Sequence, residues 1–144
     1  MTVAAILKHK GYQVATVDPA ARVRHIAAIL TERKIGAVLV MDATEQLLGI
    51  VSERDIVRAL FANDTATLDM TAGQLMTRAV QVARTDTTIA EAMHMMTAGR
   101  FRHLPVVDRG VVIGIVSIGD VVKARIMEQE NEVDSLRAYV SGSG

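Results

Sequence analysis

What most constrains this chain is that it is written twice. Val23-Arg24-His25-Ile26-Ala27 is answered 66 positions on by Ile89-Ala90-Glu91-Ala92-Met93, and Val40-Met41-Asp42 by Val106-Val107-Asp108. Gly49-Ile50-Val51-Ser52-Glu53-Arg54-Asp55 returns as Gly114-Ile115-Val116-Ser117-Ile118-Gly119-Asp120, at an offset of 65. The turn from Asp42 to Gln46 is thus one residue longer than its counterpart around Asp108-Arg109-Gly110, a difference a loop absorbs. The leading segment is doubled too, Thr2-Val3-Ala4-Ala5-Ile6-Leu7 resembling Thr71-Ala72-Gly73-Gln74-Leu75-Met76. At 144 residues the chain is one compact domain or two small halves sharing a core.

Periodicity gives each repeat the same plan. A short helix (about 2–8, about 71–76) leads to a short strand (about 14–17, about 79–83). Asp18-Pro19 reads as an N-cap with proline in the first helical position, so a helix is expected over about 20–33. Its apolar set Val23, Ile26, Ala27, Leu30 and the twin set Ile89, Ala92, Met93, Met96 follow helical spacing. Methionine in such a stripe fills gaps in a core. Ala37–Met41 and 47–51 are continuous apolar runs around a turn, hence a buried hairpin. The motif helix follows each hairpin. The order is strand, helix, strand, strand, helix, twice. The fold expected is α+β, two pseudo-symmetric β-α-β-β-α repeats packed through their sheets: 1–68, 69–128, and a helical extension with a flexible tail over 129–144. The polar stretch 63–71 reads as a short linker. The last helix, about 118–139, outruns its twin and carries Ile126, Met127, Val133, Leu136, Tyr139 and Val140 among charges.

Composition narrows the function. Hydrophobic residues make up 50% but aromatics only 3%, so the core is Val, Ile, Leu, Ala and Met. Sixteen basic and sixteen acidic residues cancel, which argues against nucleic acid, as does the shortage of stacking aromatics. Without cysteine there is no disulfide, thiolate zinc site or cysteine nucleophile. No apolar run reaches the ~18–20 residues of a membrane span, and the N-terminus does not read as a secretory signal. The expectation is a soluble cytoplasmic protein. His9, His25, His94 and His103 are scattered without metal-ligand spacing, and there is neither a phosphate loop nor a Gly-x-Gly-x-x-Gly fingerprint. No nucleophile–base or metal constellation stands out, so no enzyme activity and no metal are expected.

The chemistry sits where the repeats carry Ser-x-x-Asp. One reading is a capping box, Ser52 and Ser117 accepting first-turn backbone N–H groups. Asp in place of the more usual Glu or Gln at the third position, in both copies, points further. One carboxylate can accept hydrogen bonds from both hydroxyls of a ribose, and Asp55 and Asp120 are placed to do so. A serine turned from its cap could donate to ribose or phosphate. Helix N-termini and Arg forks attract phosphate, which makes Arg54, Arg102, His103 and Lys123 candidates.

With both motif copies and Arg102-His103-Leu104-Pro105-Val106-Val107-Asp108, the whole chain resembles a tandem CBS-domain pair (named after cystathionine beta-synthase) standing alone. The resemblance implies adenosine ligands (AMP, ADP, ATP, sometimes NAD or S-adenosylmethionine) in clefts between the halves, AMP foremost here with NAD or ATP as close rivals. Carried over by position, Ser52 and Asp55 would face Met76, Ala79, Gln81, Phe101, Arg102 and His103. Ser117, Gly119 and Asp120 would face Lys10, Gln13, Ala15, Ile35 and Gly36. The second group has Gly36-Ala37-Val38-Leu39 where the other has Arg102-His103-Leu104-Pro105, so the Asp55 cleft is expected to hold a charged phosphate better. The resemblance further implies a homodimer, an energy- or redox-sensing role and an effector protein whose identity the sequence does not give. The competing readings are a ligand-free protein–protein interaction module and, less favoured, a nucleic-acid binder.

Overall fold

The computed structural model describes residues 1–142. They form two compact units: Gln13–Val80, called here the Asp55 unit, and Met1–Tyr12 together with the chain from Gln81 onward, the Asp120 unit. Each carries a three-stranded sheet with helices, the α+β class expected.

The Asp55 unit contains β1 (Thr16–Val17), α2 (Val23–Arg33), β2 (Ala37–Met41), β3 (Leu47–Ser52), α3 (Glu53–Asn63), a 3-10 helix (Asp64–Asp69) and α4 (Ala72–Leu75). β1 runs parallel to β2 and β2 antiparallel to β3, so Ala37 lies opposite Ser52. The Asp120 unit contains α1 (Val3–Lys10), β4 (Ala83–Arg84), α5 (Ile89–Gly99), β5 (His103–Asp108), β6 (Val111–Ser117) and α6 (Ile118–Gly142). Its sheet repeats the pattern, with His103 opposite Ser117.

The leading helices have changed places. α1, written before the first repeat, packs with the sheet of the second, and α4 packs with the sheet of the first. The anchors are equivalent: Val3 N–H donates to Thr87 O at 2.8 Å in one unit, and Ala72 N–H to Ala21 O at 2.8 Å in the other. The compact units and the sequence repeats are therefore different divisions of the chain, which passes between units after Tyr12 and again after Val80.

Each core is aliphatic. Val23, Ile26, Leu30, Val38, Val40 and Val51 are buried in the Asp55 unit, and Ile89, Ala92, Met96, Leu104, Val106 and Val116 in the Asp120 unit. Each large aliphatic side chain so buried contributes about 1.5–3 kcal/mol. Met96 is core, as its helical spacing implied.

Three local expectations change. α2 starts at Val23 with Arg22 as N-cap, not near residue 20. Asp18-Pro19 instead makes a turn, with Asp18 Oδ1 accepting from Ala20 N–H at 2.7 Å and Asp18 O from Ala21 N–H at 3.1 Å. Asp followed by Pro suits the first two positions of a type I turn as well as a helix start. The stretch 63–71 is no linker between units but the 3-10 helix and its flanks, pinned where the buried Thr67 hydroxyl donates to Ala59 O at 2.9 Å. α6 continues through Gly142, into the expected flexible end, of which Ser143 and Gly144 lie outside the described residues.

The motif glycines make the exchange of leading helices possible. A Cβ on Gly49 would stand 2.7 Å from both Met76 Sδ and the Thr77 carbonyl oxygen, and one on Gly114 would stand 2.7 Å from Leu7 Cδ2. Met76 ends the α4 segment and Leu7 lies on α1, so each glycine lets the borrowed segment lie flush on its hairpin. The obstacles differ in kind. Thr77 is backbone, held to Ile50 by two hydrogen bonds of 3.0 and 2.9 Å, whereas Leu7 offers a rotatable side-chain end. Gly49→Ala is therefore expected to cost about 1–3 kcal/mol of stability, the usual penalty of overpacking, and Gly114→Ala distinctly less. Urea denaturation of both variants checks the order.

Candidate functional site: the paired Ser–Asp helix starts

In the Asp55 unit, β3 runs straight into α3 with Ser52 as the N-cap. Ser52 Oγ accepts from Asp55 N–H at 3.3 Å, and Asp55 Oδ2 accepts from Ser52 N–H at 2.8 Å. This is the reciprocal capping box the spacing implied. Asp55 is held twice more, Oδ2 accepting from the Ser52 hydroxyl at 3.0 Å and Oδ1 from the Thr77 hydroxyl at 3.2 Å. Thr77 escaped the sequence reading because only the close approach of its backbone at Gly49 brings it there.

The Asp120 unit repeats the cap and changes the third partner. Asp120 N–H donates to Ser117 Oγ at 3.1 Å, and Ser117 N–H to Asp120 Oδ2 at 2.8 Å. Where the first unit supplies a hydroxyl, here Lys10 supplies an ammonium. Its Nζ donates to Asp120 Oδ2 at 2.6 Å and to Ile115 O at 2.9 Å. The carboxylate is only 25% exposed. Burial pushes the Asp120 carboxyl up, but the Lys10 hydrogen bond, the Ser117 N–H and the lysine charge together outweigh it and hold it below its ordinary 3.8.

The strand ahead of each motif completes the geometry. An antiparallel hairpin returns its end to its beginning, so the residues just before β2 and β5 meet the starts of α3 and α6. Glu53 N–H donates to Gly36 O at 3.0 Å, and Ile118 N–H to Arg102 O at 2.8 Å. Arg102 and His103, expected opposite Asp55, thus stand beside the Asp120 helix start, and Gly36-Ala37 beside that of Asp55. The unit with the cationic strand is the one with Asp120.

Each residue group drawn from the resemblance straddles the two units. Ser52, Asp55, Met76 and Ala79 share one, while Gln81, Phe101, Arg102 and His103 belong to the other. Lys10, Ser117, Gly119 and Asp120 fall together as expected, whereas Gln13, Ala15, Ile35 and Gly36 lie in the Asp55 unit. Several candidates have structural work. Met76 is buried against Gly49, Phe101 packs on the Asp120 core beside Gly99, Ile35 packs on the Asp55 core, and Ala15 O accepts from Leu39 N–H at 3.0 Å. Arg54, Arg102, Gly119, Lys123, Gln13, Ala79 and Gln81 are exposed.

The family description "CBS domain" matches residues 4–62 and again 72–127. The chain belongs to the CBS-domain family. Among solved structures, it is 44% identical to the CBS-domain containing protein ATU1752 from Agrobacterium tumefaciens, with TM-score 0.84 over 86% of this chain and 92% of that one. It is 27% identical to the CBS domain pair of protein MJ0100, solved in complex with 5'-methylthioadenosine and S-adenosyl-L-methionine, with TM-score 0.76 over 86% of this chain and 98% of that one. Among curated relatives, the mitochondrial CBS domain-containing protein CBSX3 of Arabidopsis thaliana is 36% identical over 117 residues, which is 78% of this chain and 57% of that protein. The chain thus spans little more than half of that relative. Among the described residues no helix is long and apolar enough to cross a membrane.

The ion pair sets a pH dependence. Because the folded Asp120 value is depressed, its contribution is complete above the unfolded value of 3.8 and disappears as pH falls through the folded one. The stability difference between the native chain and Asp120→Asn is expected at about 1 kcal/mol near neutral pH, the upper end for a partly exposed pair. It should shrink progressively as urea melts are taken below pH 3.8.

Proposed function

We propose that this chain is a regulatory module that binds adenosine ligands at its Ser–Asp helix starts, with AMP the preferred ligand and ATP, ADP or NAD as rivals. The observation that carries the reading is the doubled carboxylate: Asp55 and Asp120 each sit in a first helical turn beside a hydroxyl or ammonium that fixes their orientation. A carboxylate so held is oriented to accept from the hydroxyls of a ribose. The adenosine ligands of the MJ0100 pair, similar over 86% of this chain, support the ligand class.

The two helix starts differ in charge. At Asp120, Lys10 already stands on the carboxylate, and Arg102, His103 and Lys123 lie nearby in sequence or register. A helix N-terminus with cations about it suits a phosphate. At Asp55 the equivalent strand offers Gly36-Ala37, and the third partner is the neutral Thr77. We therefore assign phosphate-bearing ligands to the Asp120 unit and less charged adenosine ligands to the Asp55 unit. The module works by sensing, as ligand binding favours one arrangement of the protein over another.

Calorimetry with AMP and with 5'-methylthioadenosine, which lacks the phosphate, tests this. Arg102→Ala should weaken AMP roughly tenfold, the worth of one charged hydrogen bond, and leave methylthioadenosine unchanged. Asp120→Ala should weaken AMP further than Asp55→Ala does. Equal losses from the two Asp variants would remove the assignment of phosphate to one unit. No heat with any adenosine compound would leave the interaction-module reading in its place.

A further inference from the structure

α6 presents two faces. Val121 and Ala124 point into the core of the Asp120 unit, with Arg125 and Glu128 half-buried beside them. Roughly a third of a turn away, at 3.6 residues per turn, runs a second stripe: Val122, Ile126, Gln129, Val133, Leu136 and Val140. Its apolar members are 40%, 49%, 47%, 65% and 64% exposed. The spacing alternates four and three residues throughout, the period of a coiled-coil seam. A shallow groove lined by Ile126, Gln129, Glu130, Val133, Asp134 and Arg137 follows the same face.

We propose that α6 pairs with its own copy in a second chain as a parallel, in-register, two-stranded coiled coil. The seam composition fits two strands. Ile126, Val133 and Val140 fall at one core position (a), where β-branched side chains favour dimers, and Leu136 falls at the other (d). Gln129, at d, then faces its own copy, and two amides can satisfy each other's donors and acceptors.

Charge selects both partner and direction. In a parallel pair the residue before each a position meets the partner residue five places further on. Arg125 meets Glu130, and Glu132 meets Arg137, each opposite in sign and each made twice by symmetry. Arg125 also has a Glu128 ion pair at 3.3 Å within its own chain, on the side toward the core. The fully overlapped antiparallel pair sets Glu130 against Glu130, Glu132 against Glu132 and Lys123 against Arg137, all repulsive, and puts the Gln129 amide against Val133. Three heptads are short for an isolated coil, but here the first turns of α6 are already fixed on a folded unit.

Sedimentation equilibrium of the full chain should give a dimer. Arg137→Glu should weaken self-association at least tenfold, because it sets glutamate against glutamate. Adding Glu132→Arg to that variant should restore the dimer, which a merely damaged fold would not do. Since the chain has no cysteine, Gln129→Cys places the sole thiol on the seam, and mild oxidation should lock a disulfide-linked dimer. A monomeric native chain, or a dimer indifferent to Arg137→Glu, would overturn the proposal. A dimer that Gln129→Cys fails to cross-link would overturn its parallel direction.

Discussion

A side chain on Gly49 would collide with the Thr77 carbonyl at 2.7 Å, and one on Gly114 with Leu7 at the same distance. Much else in the structure follows from the fact that neither position has one. The bare backbone lets the leading segment of one repeat settle on the hairpin of the other. That segment then closes the core, Met76 over the Asp55 sheet and Leu7 over the Asp120 sheet. It also delivers a polar group to the motif carboxylate: the Thr77 hydroxyl at 3.2 Å from Asp55, the Lys10 ammonium at 2.6 Å from Asp120. The glycine at the head of the motif and the aspartate at its foot are thus parts of one device. The first admits the neighbour whose polar tail orients the second.

The device has been kept and its charge changed. Both carboxylates are fixed by an equivalent cap, so both are preorganised acceptors. The third partner, however, is neutral in one unit and cationic in the other, and the strand beside each start follows suit, Gly36-Ala37 against Arg102-His103. Each difference alone would be a detail. Falling on the same unit, they make a coherent electrostatic contrast, and added positive charge is what favours a phosphate over a neutral substituent. A duplicated fold with one altered unit can answer two ligands, or two forms of one ligand, without a second scaffold.

The repeat, the caps, the hairpins and the aliphatic cores were legible because each rests on a local rule: period, cap spacing or turn chemistry. Ser52–Asp55 and Ser117–Asp120 form the reciprocal cap their spacing implied. What could not be read was which copy a segment serves. The apolar pattern of 2–7 says that α1 buries a face, but both sheets offer the same kind of surface, so periodicity cannot choose between them. Asp18-Pro19 failed differently, since one dipeptide satisfies two rules and only tertiary context decided for the turn. The placement of Arg102 and His103 was legible in principle. An antiparallel hairpin always brings the residue before its first strand to the end of its second, so Arg102 had to lie beside Ile118.

α6 joins the two proposals in one rigid element. Its first turn holds Asp120 and its later turns hold the seam, and 25 residues at 1.5 Å each make a rod of about 37 Å. A ligand hydroxyl that takes Oδ2 of Asp120 must share it with Lys10 or displace it, and Lys10 sits on the last turn of α1. Any shift this produced between α1 and the start of α6 would be felt by the later turns of the same helix. In a parallel coil the two first turns lie at the same end, so both chains feel the same displacement and a symmetric response costs the seam nothing. An antiparallel coil would put the first turns at opposite ends and set their shifts against each other. Direction, which the charges fix, is therefore also what would let two ligand sites act as one.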